Sequence, residues 1–304
     1  MRRTRFALAA LLVSAVPAAA YEPGGHYFTV GAILTQLADK DLRKAVICTQ
    51  LPDESSELDA IAQVKAHKFA TLGFILFGAH KDDLPRVLAV HQLLHGLNGQ
   101  PAAQLQTAAQ AIVTELFRRA QLSHQADDYC ALGFGLHLYG DAFAHRQLDH
   151  PDLMYGPVLG HASGGTHPDK ALNQPEAESP WHLTNWQRYA ASVAQITGSP
   201  AQALEANVFE PARALVALEP EVGIDETETR LRSVLQQQIA RQSQWQAPAF
   251  TGLAPCQEVV QRMPDVAGVS CLGAWAAYKA VALEKLAPLN HTGVAFFDSK
   301  EELP

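Results

Sequence analysis

Three residues in the stretch FGLHLYGDAFAHR, Phe134 to Arg146, are of the types that bind metal ions: His137, Asp141 and His145. They recur every four residues, so on a helix they lie along one face. The rest of the stretch is apolar, which places that face in the interior, where unpaired imidazoles and carboxylates are costly to bury. A single buried His–Asp pair needs no special explanation. Three such groups stacked on one apolar face point to metal ligation.

Other candidates lie before and after this helix. The segment GHASGGTHPD holds His161, His167 and Asp169. Its Gly, Ser, Asp and Pro content reads as a solvated turn-rich loop, and its place just after the helix makes it a source of further ligands. Asp53, in QLPDESSELD, is followed fourteen residues later by His67 in KAHKF. Taken alone, Asp53 is equally a helix-start residue. His26, near the N-terminus, is by itself also a helix-start polar residue. His91 and His95, in VHQLLHG, share a helix face and could ligate metal, although such a pair more often reads as a half-buried helix side. Trp181, Trp186 and Tyr189 read as core, with an apolar lip for a lipid as the alternative, and GHASGG lacks the G-x-S-x-G pattern of a serine nucleophile.

The elements that must position these residues are helical. Apolar residues recur at the helical period in HYFTVGAILTQLAD, ELDAIAQVKAHKFATLGFILF, LPRVLAVHQLLHGLNG and PAAQLQTAAQAIVTELFRRAQ. The same holds for SHQADDYCALGFGLHLYGDAFAHR, SPWHLTNWQRYAASVAQIT, SPAQALEANVFEPARALVAL, DETETRLRSVLQQQIARQSQ and SCLGAWAAYKAVALEKLA. GVAFF near the C-terminus is the one mild strand candidate. Residues 147–179 have no sustained period, and a loop of that length in a compact helical protein is usually functional or disordered. The expectation is an all-α fold: a single multi-helix domain over residues 21–304 with one long functional loop.

Residues 1–20 stand apart from that domain. Arg2, Arg3 and Arg5 precede an apolar run and a small-residue cleavage site at Ala18–Ala20, the pattern of a secretory signal peptide. No other apolar run is long enough to span a bilayer. The protein is thus expected to be exported, to a periplasm or beyond the cell. Loss of the signal's three arginines takes the formal net charge from −8 to −11. Such a chain lacks the Lys/Arg footprint of non-specific nucleic-acid binding, unless bound cations supply the charge. Export permits disulfides, and Cys48, Cys130, Cys256 and Cys271 allow three pairings, with Cys256–Cys271 the preferred short loop.

Taken together, His26, Asp53, His67 and the His-x-x-x-Asp motif formed by His137 and Asp141 resemble the zinc-dependent phospholipase C and single-strand-specific zinc nuclease superfamily. The resemblance implies an all-helical exported enzyme holding two or three zinc ions. It implies that Tyr21, exposed as the new N-terminus, binds zinc through its amine and carbonyl, where the family usually has Trp. It further implies zinc ligation by His26, Asp53, His67, His137 and Asp141, with Asp141 shared between ions. His145 stands four residues after Asp141, where the family has its next histidine six after, and His161, His167 and Asp169 follow in a spacing of their own. These four are the implied remainder of the ligand set. The activity implied is phosphodiester hydrolysis by a metal-bound hydroxide, with Asp53 taking up the proton and a phospholipid or other small phosphodiester as substrate. A nuclease or nucleotidase on the same scaffold is the neighbouring alternative, and a non-catalytic zinc-stabilised binding protein is the alternative from another class.

Overall fold

The computed structural model describes residues 24–35, 37–68, 71, 84–147, 149–157, 170–172, 181–250 and 252–289. The signal segment, Tyr21, the strand candidate GVAFF and the loop residues His161, His167 and Asp169 lie outside them.

Among the described residues the fold is all-α, with no strand beyond isolated bridges. A π-helical turn, Gly24–Phe28, leads into α1 (Thr29–Leu34). Then come α2 (Leu42–Cys48), α3 (Leu51–Glu54), α4 (Ala60–Ala66) and α5 (Leu84–Ala89), the last continued by a second π-helical turn, Val90–Leu94. The two long central helices are α6 (Ala102–Ser123) and α7 (Ala126–Ala144). After the loop stand α8 (Trp181–Thr197), α9 (Ala201–Leu204) with a π-helical turn Glu205–Phe209, and α10 (Glu210–Val222). The chain continues through α11 (Ile224–Ser243), α12 (Cys256–Gln261) and α13 (Cys271–Leu286).

The periodic segments map onto these helices, with one clear difference. The run ELDAIAQVKAHKFATLGFILF reads as one long helix, yet α4 starts only at Ala60 and ends at Ala66. Asp59 caps its start by accepting from the Ala62 amide, and His67 leaves helical geometry at its end.

Among the described residues, α7 is the central helix. Its residues from Tyr129 to Ala144 are all buried, without a polar side. A helix that is apolar all round must be enclosed on every face, and α2, α6, α8 and α13 enclose this one. The closest approach is that of α2. A β-carbon added at Gly133 would stand 2.5 Å from both the Ala45 carbonyl oxygen and Cys48 Cβ, so only glycine admits α2 at this depth. There the Cys48–Cys130 disulfide bolts the two helices together. The second disulfide, Cys256–Cys271, is the expected short loop and joins the starts of α12 and α13. Closing a separation of 82 residues removes more freedom from the unfolded chain than closing one of 15. Trp186 and Tyr189 are fully buried between α8 and its neighbours, as core residues.

The tight contact yields a prediction. Gly133→Ala forces a methyl group against backbone and should lower stability by about 1–3 kcal/mol, the usual range for overpacking. Urea midpoints should show it, and a variant of unchanged midpoint would mean that α2 moves away freely.

Candidate metal centre

Six acidic and imidazole side chains converge inside the fold, drawn from four separate segments. His137 and Asp141 stand one turn apart on α7, and His145 is the residue that ends that helix. Asp53 comes from α3, His26 from the first π-helical turn, and His95 from the end of the second. None is more than 6% exposed, and His26, His137 and Asp141 are wholly buried.

Four of these side chains are oriented by specific hydrogen bonds. His137 donates from Nδ1 to the Thr49 carbonyl at 2.8 Å, and His95 donates from Nε2 to the Leu58 carbonyl at 3.0 Å. A carbonyl can only accept, so these contacts fix the tautomers and leave lone pairs at His137 Nε2 and His95 Nδ1 when the rings are neutral. His145 donates from Nδ1 to the backbone carbonyl of His95 at 2.8 Å. His26 approaches Asp141 Oδ1 through Nε2 at 2.8 Å. Its ring stacks on that of His137, with centroids 4.2 Å apart, and Gly140 makes room for it. A β-carbon at residue 140 would stand 2.5 Å from His26 Cε1.

The supports for the two π-helical turns are also visible. Trp186 donates to the Thr29 hydroxyl at 2.9 Å, which donates in turn to the Gly24 carbonyl at 2.6 Å. This fastens the turn that carries His26. The Tyr278 hydroxyl donates to the Leu93 carbonyl, fastening the turn that precedes His95. A π-helical turn shifts the downstream residues by one position, and such turns are common at functional sites.

At the middle lies a triangle of electron-rich atoms. Asp141 Oδ2 is 3.3 Å from His95 Nδ1 and 3.3 Å from His137 Nε2, and those two nitrogens are 3.3 Å apart. Asp141 Oδ2 is buried and has no hydrogen-bond partner. Asp53 Oδ1 caps the triangle, 3.9 Å from His95 Nδ1 and 3.7 Å from His137 Nε2. Zinc–nitrogen and zinc–oxygen bonds of about 2.0–2.1 Å give a coordination tetrahedron with edges of about 3.3–3.4 Å. The triangle has the dimensions of one face of such a tetrahedron, and its donor set of imidazole nitrogen and carboxylate oxygen suits zinc. Two groups meet the spacing of a metal site: Asp53, His95 and His137, and His26, His137 and Asp141.

Without a metal, protons must do the work of the cation. Burial opposes charge on His95, yet contact with Asp141 outweighs it and raises that ring's pKa. Burial lowers the pKa of His137 and of His145, and it pushes His26 down from 6.5 to about 3 with help from His137. Asp141 is held well below the usual carboxylate range: burial opposes its ionisation, but His145, His137 and His26 prevail.

The structure therefore brings together His26, Asp53, His137, Asp141 and His145, all legible as candidates in the sequence. His67 stands half-buried at the end of α4 and is a member of neither metal-spaced group. Tyr21, His161, His167 and Asp169 lie outside the described residues. His95 overturns the plainer of its two sequence readings, the half-buried helix side, and fits the other, metal ligation. It is fully buried at the centre, because the π-helical turn and the loop at Leu58 enclose the face that the pattern VHQLLHG assigns to a half-exposed helix side. His91 is buried as well and donates to the Ala60 carbonyl at 3.0 Å. Its i,i+4 spacing to His95 was the available signal.

A pH dependence arises from His26. Its folded pKa lies below its unfolded value, so between pH 6.5 and about 3 the unfolded chain takes up a proton that the folded site refuses. Metal-free protein should lose stability on acidification through that window. His95 acts in the opposite sense, contributing stability below pH 6.5 that is lost as pH rises through its raised value. Denaturant midpoints at pH 7 and pH 5, measured with chelator, should fall in the wild type and fall less in His26→Gln. Equal slopes in the two proteins would refute the assignment.

No family model matches this chain, and no curated protein or solved structure matches it.

Proposed function

We propose that the chain is an exported zinc-dependent phosphoesterase of the phospholipase C type, acting on a phospholipid or other small phosphodiester. The observation that carries this reading is the buried triangle of Asp141 Oδ2, His95 Nδ1 and His137 Nε2, whose lone pairs converge with metal-ligand spacing. Bound zinc would polarise a phosphoryl oxygen and lower the pKa of a coordinated water.

The chain's own residues prepare for that. The Thr49 and Leu58 carbonyls hold His137 and His95 in the tautomers that present bare nitrogens. His26 occupies Asp141 Oδ1, so Oδ2 faces the two rings. Asp53 Oδ1 is the oxygen proposed to ligate and to take the proton from the attacking water. His145 and the candidates Tyr21, His161, His167 and Asp169 are proposed to complete a further site. In this set His95 takes the place that His67 holds in the family resemblance. Two disulfides suit an oxidising compartment, and no described helix is long and apolar enough to cross a membrane. The acidic charge favours a lipid or small phosphoester over a nuclease or nucleotidase substrate.

A second reading has an observation of its own. Catalytic zinc keeps an open position, whereas structural zinc is closed in. The described ligands are almost entirely buried, which favours a zinc-stabilised binding protein.

Metal analysis and activity together test both. The enzymatic reading expects two or three zinc ions per mature chain, with chelator-sensitive hydrolysis of phosphatidylcholine or a chromogenic phosphodiester. Turnover of single-stranded DNA instead would move the substrate to nucleic acid. Bound zinc with no turnover of any of the three would leave the binding protein. Folded protein that takes up no zinc would end both readings.

A further inference from the structure

Cys48, Thr49 and Gln50 are consecutive, and each ties α2 to the metal centre in a different way. Cys48 is bonded to Cys130 on α7. The Thr49 carbonyl takes the Nδ1 proton of His137 on the same helix. Gln50, which is fully buried, donates from Nε2 to Asp53 Oδ2 at 3.0 Å. The direction of that last bond is settled by chemistry. An ionised carboxylate only accepts, so the amide nitrogen must face it. That orientation leaves Gln50 Oε1 buried without a hydrogen-bond partner. A buried acceptor of that kind costs about 1–3 kcal/mol. An apolar side chain of equal size would avoid the cost, but it could not hold Asp53.

We propose that Gln50 is a positioning residue of the metal centre. By engaging Asp53 Oδ2 it restricts that carboxylate to one-oxygen ligation, with Oδ1 alone presented to His95 and His137. The inference rests on the zinc-centre reading above. It adds that Asp53's denticity, and with it the ion's coordination number, is set by a residue outside the ligand set. The geometry agrees, since Asp53 Oδ1 lies 3.7 Å from His137 Nε2 while Oδ2 is turned to Gln50. Partners that orient ligands in this way typically contribute about 10–100-fold to metal affinity. The disulfide at Cys48 holds the same tripeptide against α7, so Gln50 delivers its bond from a fixed backbone.

Gln50→Met, which keeps the volume and removes the donor, is the direct test, with Gln50→Ala as a second variant should the first fail to fold. Zinc affinity is measured by competition with a chromogenic chelator on mature protein, and the Co²⁺-substituted protein is read by its visible absorption. The proposal expects about 10–100-fold weaker zinc binding. It also expects weaker Co²⁺ bands, because a released Asp53 can close onto the ion with both oxygens and raise its coordination number. Metal-free thermal midpoints should change little, since losing the orphaned Gln50 acceptor is offset by losing the donor to Asp53 Oδ2. A folded variant with wild-type affinity and an unchanged Co²⁺ spectrum overturns the role of Gln50 and leaves the centre intact. Weaker zinc binding with an unchanged spectrum overturns the denticity claim. Wild-type protein that binds neither ion overturns the centre itself.

Discussion

The fold is organised around one buried carboxylate. Asp141 has no solvent contact, stays ionised against the cost of burial, and is surrounded by four imidazoles, those of His26, His95, His137 and His145. A carboxylate so placed needs compensating positive charge or donors on both oxygens. His26 satisfies Oδ1. For Oδ2 the neighbours are nitrogens of rings that donate their protons to backbone carbonyls when neutral, so a further proton or a metal ion could complete the site. The choice is between an extra proton on His95 and a metal ion, and the two compete for the same space.

That competition explains why so much of the surrounding structure is spent on orientation. An imidazole offers a lone pair on one nitrogen only when a proton is fixed on the other. Here the fixing groups are main-chain carbonyls, which neither titrate nor rotate. They belong to Thr49, Leu58 and His95, that is, to the end of α2, the loop before α4 and the end of the π-helical turn after α5. The packing that brings α2 against α7 through Gly133 and the Cys48–Cys130 bond is thus the same packing that fixes the His137 tautomer. Gly140 does the corresponding service for His26, since any side chain there would expel the ring.

How much of this the sequence disclosed depends on distance along the chain. The all-α architecture was legible because helical periodicity is local. The trio His137, Asp141 and His145 was legible for the same reason, as its members share one face of one helix. His26 and Asp53 were recoverable only through a resemblance in spacing, because no local signal joins residues 115 apart, as His26 and Asp141 are. That resemblance also pointed to His67, at the end of α4, and not to His95, which lies in the centre. The pair His91 and His95 did carry a signal, but a lone i,i+4 histidine pair on an apolar helix has a plainer meaning. What turned it inward was a π-helical turn and a loop carbonyl, neither of which leaves a mark in composition. Gln50 was invisible for a related reason: its role depends on which oxygen of Asp53 it touches.

The distribution of ligands along the chain has a thermodynamic consequence. Residues 26, 53, 95, 137, 141 and 145 are close together only when the turn before α1, α3, the turn after α5 and α7 are all in place. An unfolded chain cannot present them at once, so an ion held by this set binds the folded state alone and stabilises it by the full linkage term. The same reasoning applies to the disulfides with the sign of a constraint. Cys48–Cys130 leaves the ligands' contacts untouched but shortens the search by which the unfolded chain brings residue 53 towards α7. The disulfide limits the unfolded ensemble where α2 meets α7, and an ion held by residues carried on α7, α3 and the two π-helical turns would select the folded state.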